Sequence, residues 1–529
     1  MAERPATHLA GAPPAGQGRS ARRFPLWLLP LGLIVPVAAG ALAAAGGFDG
    51  LYGQDPFAYY GYAAGPLRAQ FFPPPPFAWP PGYPWLVVAA MVVVGVRPLA
   101  GQLVSLVAGG LVVVFTILLA WEVWGRDDDA PRWLGPLVAG LAAAGNGQLL
   151  QSSAMVMSDT AALAAATLGA WALARYSRPA AAARAPRRLR WLLLAAGAVA
   201  YAVITRWAYG LVAIVCAGVA LIVLRRACRA SPLAALAHGG AAGLLTLALL
   251  APVVAPALGS FRAPVGEPTA FAVDLQVYSW DPRNALRSAF ANSDGHLSYR
   301  LPNGLYYAAA PARSFYFTPL WAAFIIPGVW AVVRRRALVA TALLIGWPAL
   351  VYAFLSGAPW QNFRFTLTYM PPLAALTGIG VTYLWRRCDG RRWQRAAIAG
   401  ALGVGLVWMA ASGATLTQGF TDRKHDDLAT VRWVEMQAPA DARVITLGLT
   451  PLMQYYSALE AFDLYALSEA DLAALFASER PAYLLLDVAN VETQWRGRTP
   501  QETYHRLRDG PGLAAVGQRG PYTLFRVGR

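Results

Sequence analysis

The chain has 529 residues, 57% hydrophobic and only 13% charged, whereas an ordinary soluble domain carries about 25% charge, so a normal soluble enzyme is excluded. A formal net charge of +17 would suit a nucleic-acid partner, but the arginines stand in short runs between apolar stretches and form no single basic face. Such runs are the topology signals of a membrane protein, because cytoplasmic loops are enriched in Lys and Arg.

Taken in chain order, Arg19, Arg22 and Arg23 hold a tail, 1–23, in the cytoplasm. The apolar stretch 24–45 ends in small residues like a signal sequence, yet its length of about 20 residues ahead of many further spans predicts an uncleaved first helix. An outer loop, 46–98, follows, with Asp49, Asp55 and a run of prolines and aromatics ending Trp79-Pro-Pro-Gly-Tyr83-Pro, where proline forbids a regular helix. Its apolar stretch 85–96 is too short to span and is read as a juxtamembrane or re-entrant helix.

Spans are expected near 99–121, 133–150 and 159–175. Residues 175–190 then carry six arginines and no acidic residue, a cytoplasmic signal. Two short helices, 191–205 and 208–224, turn around Thr205-Arg206-Trp207 outside and return to Arg225, Arg226 and Arg229 inside. A span at 236–258 leads to a second outer loop, 259–315, and the remaining spans lie near 317–333, 338–355, 369–386 and 394–412. The fold class is therefore an all-α polytopic membrane protein of about 11 helices over residues 24–412, embedded in the cell membrane. Residues 413–529 read as a small α/β domain on the extracytoplasmic side. Its strands start at Arg443, Tyr483 and Tyr522 and its helices lie at 425–437 and 468–478, with Lys424, the single lysine, in a charged solvated hinge. The three cysteines lack the spacing of a zinc site or a disulfide framework.

In this topology Asp55, Asp159, Arg206, Arg364 and the loop 259–315 share the outer face, and ionisable residues at a membrane point to function by default. Asp55, followed by Pro56, could act as a general base on a hydroxyl or cap a short helix. Asp159 opens a helix and could cap it, or could hold a divalent cation together with Asp55, although two carboxylates without a defined spacing leave a metal undetermined. Arg206 and Arg364 could clamp a phosphate bidentately, or anchor the chain at the interface. His296 in the second loop could be a ligand or a solvated side chain.

These residues resemble the membrane glycosyltransferases of the GT-C fold, in particular the bacterial branch related to protein O-mannosyltransferases and lipid A aminoarabinose transferases. The resemblance rests on Gln54-Asp55-Pro56 after the first helix, the stretch Trp79 to Pro84, and Met157-Ser158-Asp159-Thr160 opening a helix. Ile204-Thr205-Arg206 at a tight turn and Phe363-Arg364-Phe365 before a Pro-Pro helix start complete it. It implies a GT-C-like catalytic domain that moves a sugar, with inversion, from a polyprenyl-phosphate carrier to a glycan, lipid or protein acceptor. Asp55 would be the base, Asp159 the second acidic residue, and Arg206 and Arg364 the carrier-phosphate ligands. Tyr59, Trp79, Tyr83 and His296 would be candidate substrate contacts. The aminoarabinose transferases have a lysine before the Pro-Pro pair where this chain has Trp79, which sets it apart from lipid A modification. Two other classes fit the bare chemistry. A secondary transporter would usually show inverted repeats, which the sequence lacks, and a non-catalytic anchor for an outer binding domain would leave Asp55 without a role.

The topology is open to direct test. A membrane-impermeant thiol reagent applied from outside is expected to modify a cysteine introduced near residue 500 and to spare one near 184; the reverse pattern would put the four ionisable residues in the wrong compartment.

Overall fold

The computed structural model describes residues 24–70, 79–124, 131–178, 185–228, 231–260, 280–292, 294–510 and 512–528. The N-terminal arginines, the proline run 71–78, the basic stretch 179–184, Arg229 and loop residues 261–279 lie outside the described residues.

The chain opens with the apolar helix Leu26–Ala45 (α1), followed by Gln54–Ala64 (α2), Gly82–Val94 (α3) and Pro98–Trp124 (α4). Next come Leu134–Ala144 (α5), Gly147–Ala154 (α6), Ser158–Tyr176 (α7), Ala185–Thr205 (α8), Gly210–Cys228 (α9) and Pro232–Ser260 (α10). The last four are Thr318–Arg334 (α11), Leu338–Gly357 (α12), Met370–Arg387 (α13) and Arg392–Gln437 (α14). Among the described residues seven of these, α1, α4, α8, α9, α10, α12 and α14, contain a stretch long and apolar enough to cross a membrane, and α3, α5 and α11 are apolar but shorter. The expected spans at 159–175 and 369–386 are α7 and α13, the innermost helices, buried on almost every face. Interior position frees them from the need for an apolar lipid-facing stripe, so both carry Ser, Thr and Gly. Where α11 crosses α13, a Cβ at Gly328 would collide with the Leu376 carbonyl and one at Gly380 with that of Phe324, so the two backbones touch only because both residues are glycine.

Local chemistry sets the breaks. The expected single span 133–150 is two helices, because Gly145-Asn146-Gly147 interrupts it: the Asn146 side chain accepts the Leu149 N–H (2.9 Å) to cap α6, and Gly147 N–H donates to the Phe315 carbonyl (2.6 Å). The turn expected at Thr205-Arg206-Trp207 is present, with Arg206 extended (φ −159°, ψ 119°) between α8 and the 3-10 turn that starts α9.

The C-terminal domain is a five-stranded sheet in the order β4-β3-β5-β7-β6, flanked by helices including Thr450–Tyr456 and Glu469–Ala477; its strands are Arg443–Thr446 (β3), Glu460–Asp463 (β4), Ala482–Asp487 (β5), Leu513–Arg519 (β6) and Tyr522–Val527 (β7). Strands β4, β3 and β5 run parallel, and β7 and β6 close the sheet antiparallel. The earlier β1 (Ala289–Asn292) and β2 (Gly295–Ser298) form a separate antiparallel hairpin.

The solvated hinge expected around Lys424 is not there. α14 runs unbroken for 46 residues, about 70 Å at ~1.5 Å per residue, so it passes through the expected span and boundary and becomes part of the C-terminal domain. Lys424 is buried on the face of this helix, ion-paired with Asp49 and donating to the Tyr456 hydroxyl (2.8 Å), while Asp49 also accepts from Tyr456. Further along both segments, Asp427 and Tyr52 make a parallel link: the Tyr52 hydroxyl donates to Asp427 (2.7 Å), and the Phe57 ring packs on Tyr455 and Tyr456. A charged hinge became a charged anchor because the loop after α1 supplies the carboxylate. Lys424→Met is expected to lower stability by roughly 2 kcal/mol, less than a fully buried pair because Asp49 stays 36% exposed, whereas at a solvated hinge it would change stability by under about 0.5 kcal/mol; a thermal melt in detergent separates the two.

Candidate active site

Four ionisable side chains from four separate segments meet at the end of the helical bundle that faces the C-terminal domain. Asp55 is the second residue of α2, whose N-cap is Gly53 with φ +82°. The Asp55 carboxylate therefore does not cap the helix, contrary to the capping alternative, and points instead to two donors: Arg364 Nη2 reaches its Oδ2 (2.6 Å) and Trp79 Nε1 its Oδ1 (3.3 Å). Asp159 is likewise the second residue of α7, where the extended Met157 is the N-cap and no side chain caps the helix. Its Oδ1 lies 3.2 Å from Arg206 Nη1 and its Oδ2 3.6 Å from Arg364 Nε. Both carboxylates thus stand in the first turn of a helix, where the aligned peptide dipoles favour negative charge.

The arginines come from breaks in helical structure. Arg206 leaves the turn between α8 and α9, its Nη1 also 3.4 Å from Ser158 Oγ and its guanidinium 5.6 Å over the Phe365 ring. At 16% exposure it faces inward, so the interfacial-anchor alternative does not describe it. Arg364 sits in the 3-10 turn Phe363–Tyr369 that precedes α13, where the Asn362 side chain accepts the Arg364 backbone N–H (3.0 Å) and fixes the turn. Its guanidinium bridges the two aspartates, 5.6 Å from the centroid of the same Phe365 ring and 3.7 Å from the Met157 sulfur.

Burial by itself would push the Asp55 carboxyl up, but the guanidinium groups of Arg364 and Arg206 and the hydrogen bonds from Arg364 and Trp79 together hold it below the ordinary 3.8. Asp55 is therefore an anion at neutral pH. Its side chain is 28% exposed while that of Asp159 is 5%, so Asp55 is the carboxylate a substrate can reach. Asp159 Oδ2 and Arg364 Nε, buried against each other, have no hydrogen-bond partner among the described residues. Buried polar atoms without a hydrogen bond are costly, and here only the ion pair of 3.6 Å between them offsets that cost.

The other sequence candidates divide. Tyr59 is in the site wall, its hydroxyl accepting from Ser158 Oγ (2.7 Å), with burial pushing the phenol up to about 12. Trp79 holds Asp55. Tyr83 is fully buried, donating to the Gly101 carbonyl (2.9 Å) and 2.9 Å from Ser105 Oγ, so it fastens α3 to α4 with no surface left for a substrate. His296 is not brought to the cluster: it lies in the β1–β2 hairpin, its backbone N–H on the Gln494 carbonyl (2.6 Å) and its ring 3.1 Å from the Arg496 carbonyl. Among the described residues no three His, Cys, Asp or Glu side chains cluster as metal ligands, and a cation between Asp55 and Asp159 would have to displace Arg364. Sequence reasoning passed over Ser158, which touches both Arg206 and Tyr59, although it stands inside the quoted Met157–Thr160 motif.

No protein-family model and no curated protein matches the sequence. Solved structures do. ArnT from Cupriavidus metallidurans bound to undecaprenyl phosphate superposes with a TM-score of 0.62 at 14% identity, over 95% of this chain and 97% of that one. The archaeal oligosaccharyltransferase AglB from Archaeoglobus fulgidus, in complex with an inhibitory peptide and a dolichol-phosphate, gives 0.54 at 14% identity, over 88% of this chain and 70% of that one. The chain has the fold of the GT-C membrane glycosyltransferases, as the resemblance implied.

Removing the shared counter-ion has a predictable effect. A depressed carboxyl stabilises the fold above its unfolded value, and that contribution is lost as pH falls through the depressed one. In Arg364→Gln the Asp55 carboxyl should rise and this contribution vanish, so the melting temperature of the wild type is expected to drop more steeply than that of the variant as pH falls from about 5 to 2.

Proposed function

We propose that this protein is an inverting glycosyltransferase that moves a sugar from a polyprenyl-phosphate carrier to an acceptor hydroxyl on the extracytoplasmic side of the membrane. The observation that carries the proposal is the convergence of Asp55, Asp159, Arg206 and Arg364 at one end of the bundle, with Asp55 ionised and reachable. The GT-C fold supports it, since two structures sharing that fold were solved with undecaprenyl phosphate and dolichol-phosphate.

In the proposed reaction the acceptor oxygen attacks the anomeric carbon as its proton passes to Asp55, and the bond from that carbon to the phosphate oxygen breaks with its electron pair. Polyprenyl phosphate leaves with an added negative charge, which Arg206 and Arg364 neutralise. A phosphate diester settling on Arg364 also competes with Asp55 for the same guanidinium. Donor binding thereby weakens the interaction that keeps Asp55 a poor base, and basicity rises when a substrate is present to use it. Asp159 keeps both arginines in place while this exchange occurs.

The decisive variant is Asp55→Asn. The amide keeps the shape and its oxygen can still accept from Arg364, but its NH2 cannot accept from Trp79 and the group cannot take up the acceptor's proton. Sugar transfer from a polyprenyl-phosphate donor in liposomes is expected to fall by about 10²–10⁴-fold in turnover, with donor binding retained and a cooperative thermal melt showing that the variant is folded. Near-normal transfer by the Asn variant would remove Asp55 from the mechanism and leave the four-residue cluster a structural ion-pair network.

A further inference from the structure

Near the ionic cluster in the chain is a cleft of about 500 Å³ to which the reaction as written assigns no role, lined by Tyr299, Arg300, Leu301, Tyr306, Arg313 and Gln361. Its volume falls in the ~300–1,000 Å³ range of small-molecule sites. The cleft is joined to the cluster through the chain itself. Gln361 is three residues before Arg364, and the Tyr306 ring packs edge-to-face on Phe363 (5.4 Å), the immediate neighbour of Arg364.

The lining has a definite chemistry. Arg206 and Arg364 are ion-paired, whereas Arg300 and Arg313 have neither an ion pair nor a side-chain hydrogen bond among the described residues, and both are exposed. Arg313 is held on a tight turn whose carbonyl accepts from Tyr316 (2.9 Å) and Thr318 (3.0 Å) N–H groups, so the guanidinium stands on a fixed base. The Gln361 amide nitrogen donates to the Leu301 carbonyl (2.7 Å), which leaves its oxygen to accept from a ligand. Burial pushes the Tyr306 phenol up to about 12 against the pull of Arg313, so it stays a protonated donor. Two guanidinium groups suit a phosphate or carboxylate, tyrosine rings suit the C–H face of a sugar, and an amide oxygen with a phenol suits its hydroxyls.

We propose that this cleft is the acceptor subsite and that the acceptor is a sugar bearing an anionic group, a phosphate or a carboxylate. The inference rests on the glycosyltransferase reading for the word acceptor, and the binding it asserts does not. The lining is drawn from the loop after β2, the helix Asn303–Ala309, the turn at Arg313 and the segment before Arg364, and its polar side chains suit a polar group rather than a polyprenyl chain.

The test is equilibrium binding of radiolabelled glucose 6-phosphate to the full-length protein in nanodiscs, with glucuronate, glucose and inorganic phosphate as competitors. Saturable binding is expected, displaced by glucuronate but not by glucose, with inorganic phosphate much the weaker anion. Arg300→Gln with Arg313→Gln, both at exposed positions, should weaken binding at least about tenfold, with an unchanged thermal melt showing that the variant is folded. Asp55→Asn should bind as the wild type does, so the cleft and the catalytic assignment fail separately. No saturable binding of either anionic sugar, affinity unchanged in the double variant, or equal competition by glucose or by bare phosphate would overturn the proposal.

Discussion

The arrangement depends on one guanidinium. Asp55 and Asp159 come from different helices, and two carboxylates drawn together at the edge of a low-dielectric bundle repel each other strongly. Arg364 lies between them, 2.6 Å from one and 3.6 Å from the other, and makes the approach favourable. It ties α2, α7 and the turn before α13 into one unit, and Arg206 adds the turn between α8 and α9 through Asp159. Ion pairs of this kind contribute little net stability because desolvation offsets attraction, so a cluster that also leaves Asp159 Oδ2 and Arg364 Nε without hydrogen bonds is poorly explained as scaffolding.

That geometry is only as rigid as α2, a helix of 11 residues after a glycine, which packing from the bundle side alone would leave weakly placed. The C-terminal domain supplies the other side. Asp49 and Tyr52, on the approach to α2, are held by Lys424, Tyr456 and Asp427, and the aromatic residues Phe57 and Tyr60 of α2 meet Tyr455 and Tyr456. Because α14 is one continuous helix, the domain is attached through a rigid strut, and the position of Asp55 is set jointly by the bundle and by a domain whose first strand begins almost four hundred residues later.

How much of this was legible follows from which forces are local. Apolar length and arginine runs are local, so α4, the α8–α9 pair turning at Arg206, and the buried α7 and α13 were readable, and the order and type of the elements around Asp55, Asp159, Arg206 and Arg364 came with them. Strands β3, β5 and β7 were readable from short apolar runs with β-branched residues in β3 and β7 and a leucine run in β5; β4 has four residues, two of them acidic, and β6 is an exposed Ala- and Gly-containing edge with a bulge, so neither carries the pattern. Lys424 could not be read correctly, because its neutralising partner is 375 residues away and a charged stretch with no visible partner looks solvated. His296 failed for the converse reason: a polar loop residue looks available until a distant backbone carbonyl at Arg496 engages it.

The ion pairing that assembles the site also sets its chemical temper. With Arg364 on Asp55 the carboxylate is anionic but weakly basic, and with both arginines paired to aspartates the cluster carries no excess charge. On the proposed function, a site in that state has little capacity to activate water, and the missing basicity is restored only when a phosphate draws Arg364 away. Donor recognition and base activation would then be one electrostatic exchange on a single side chain. On that reading an arginine suits the position better than a lysine, because its planar fork of five N–H donors can keep one carboxylate while it exchanges the other for a phosphate.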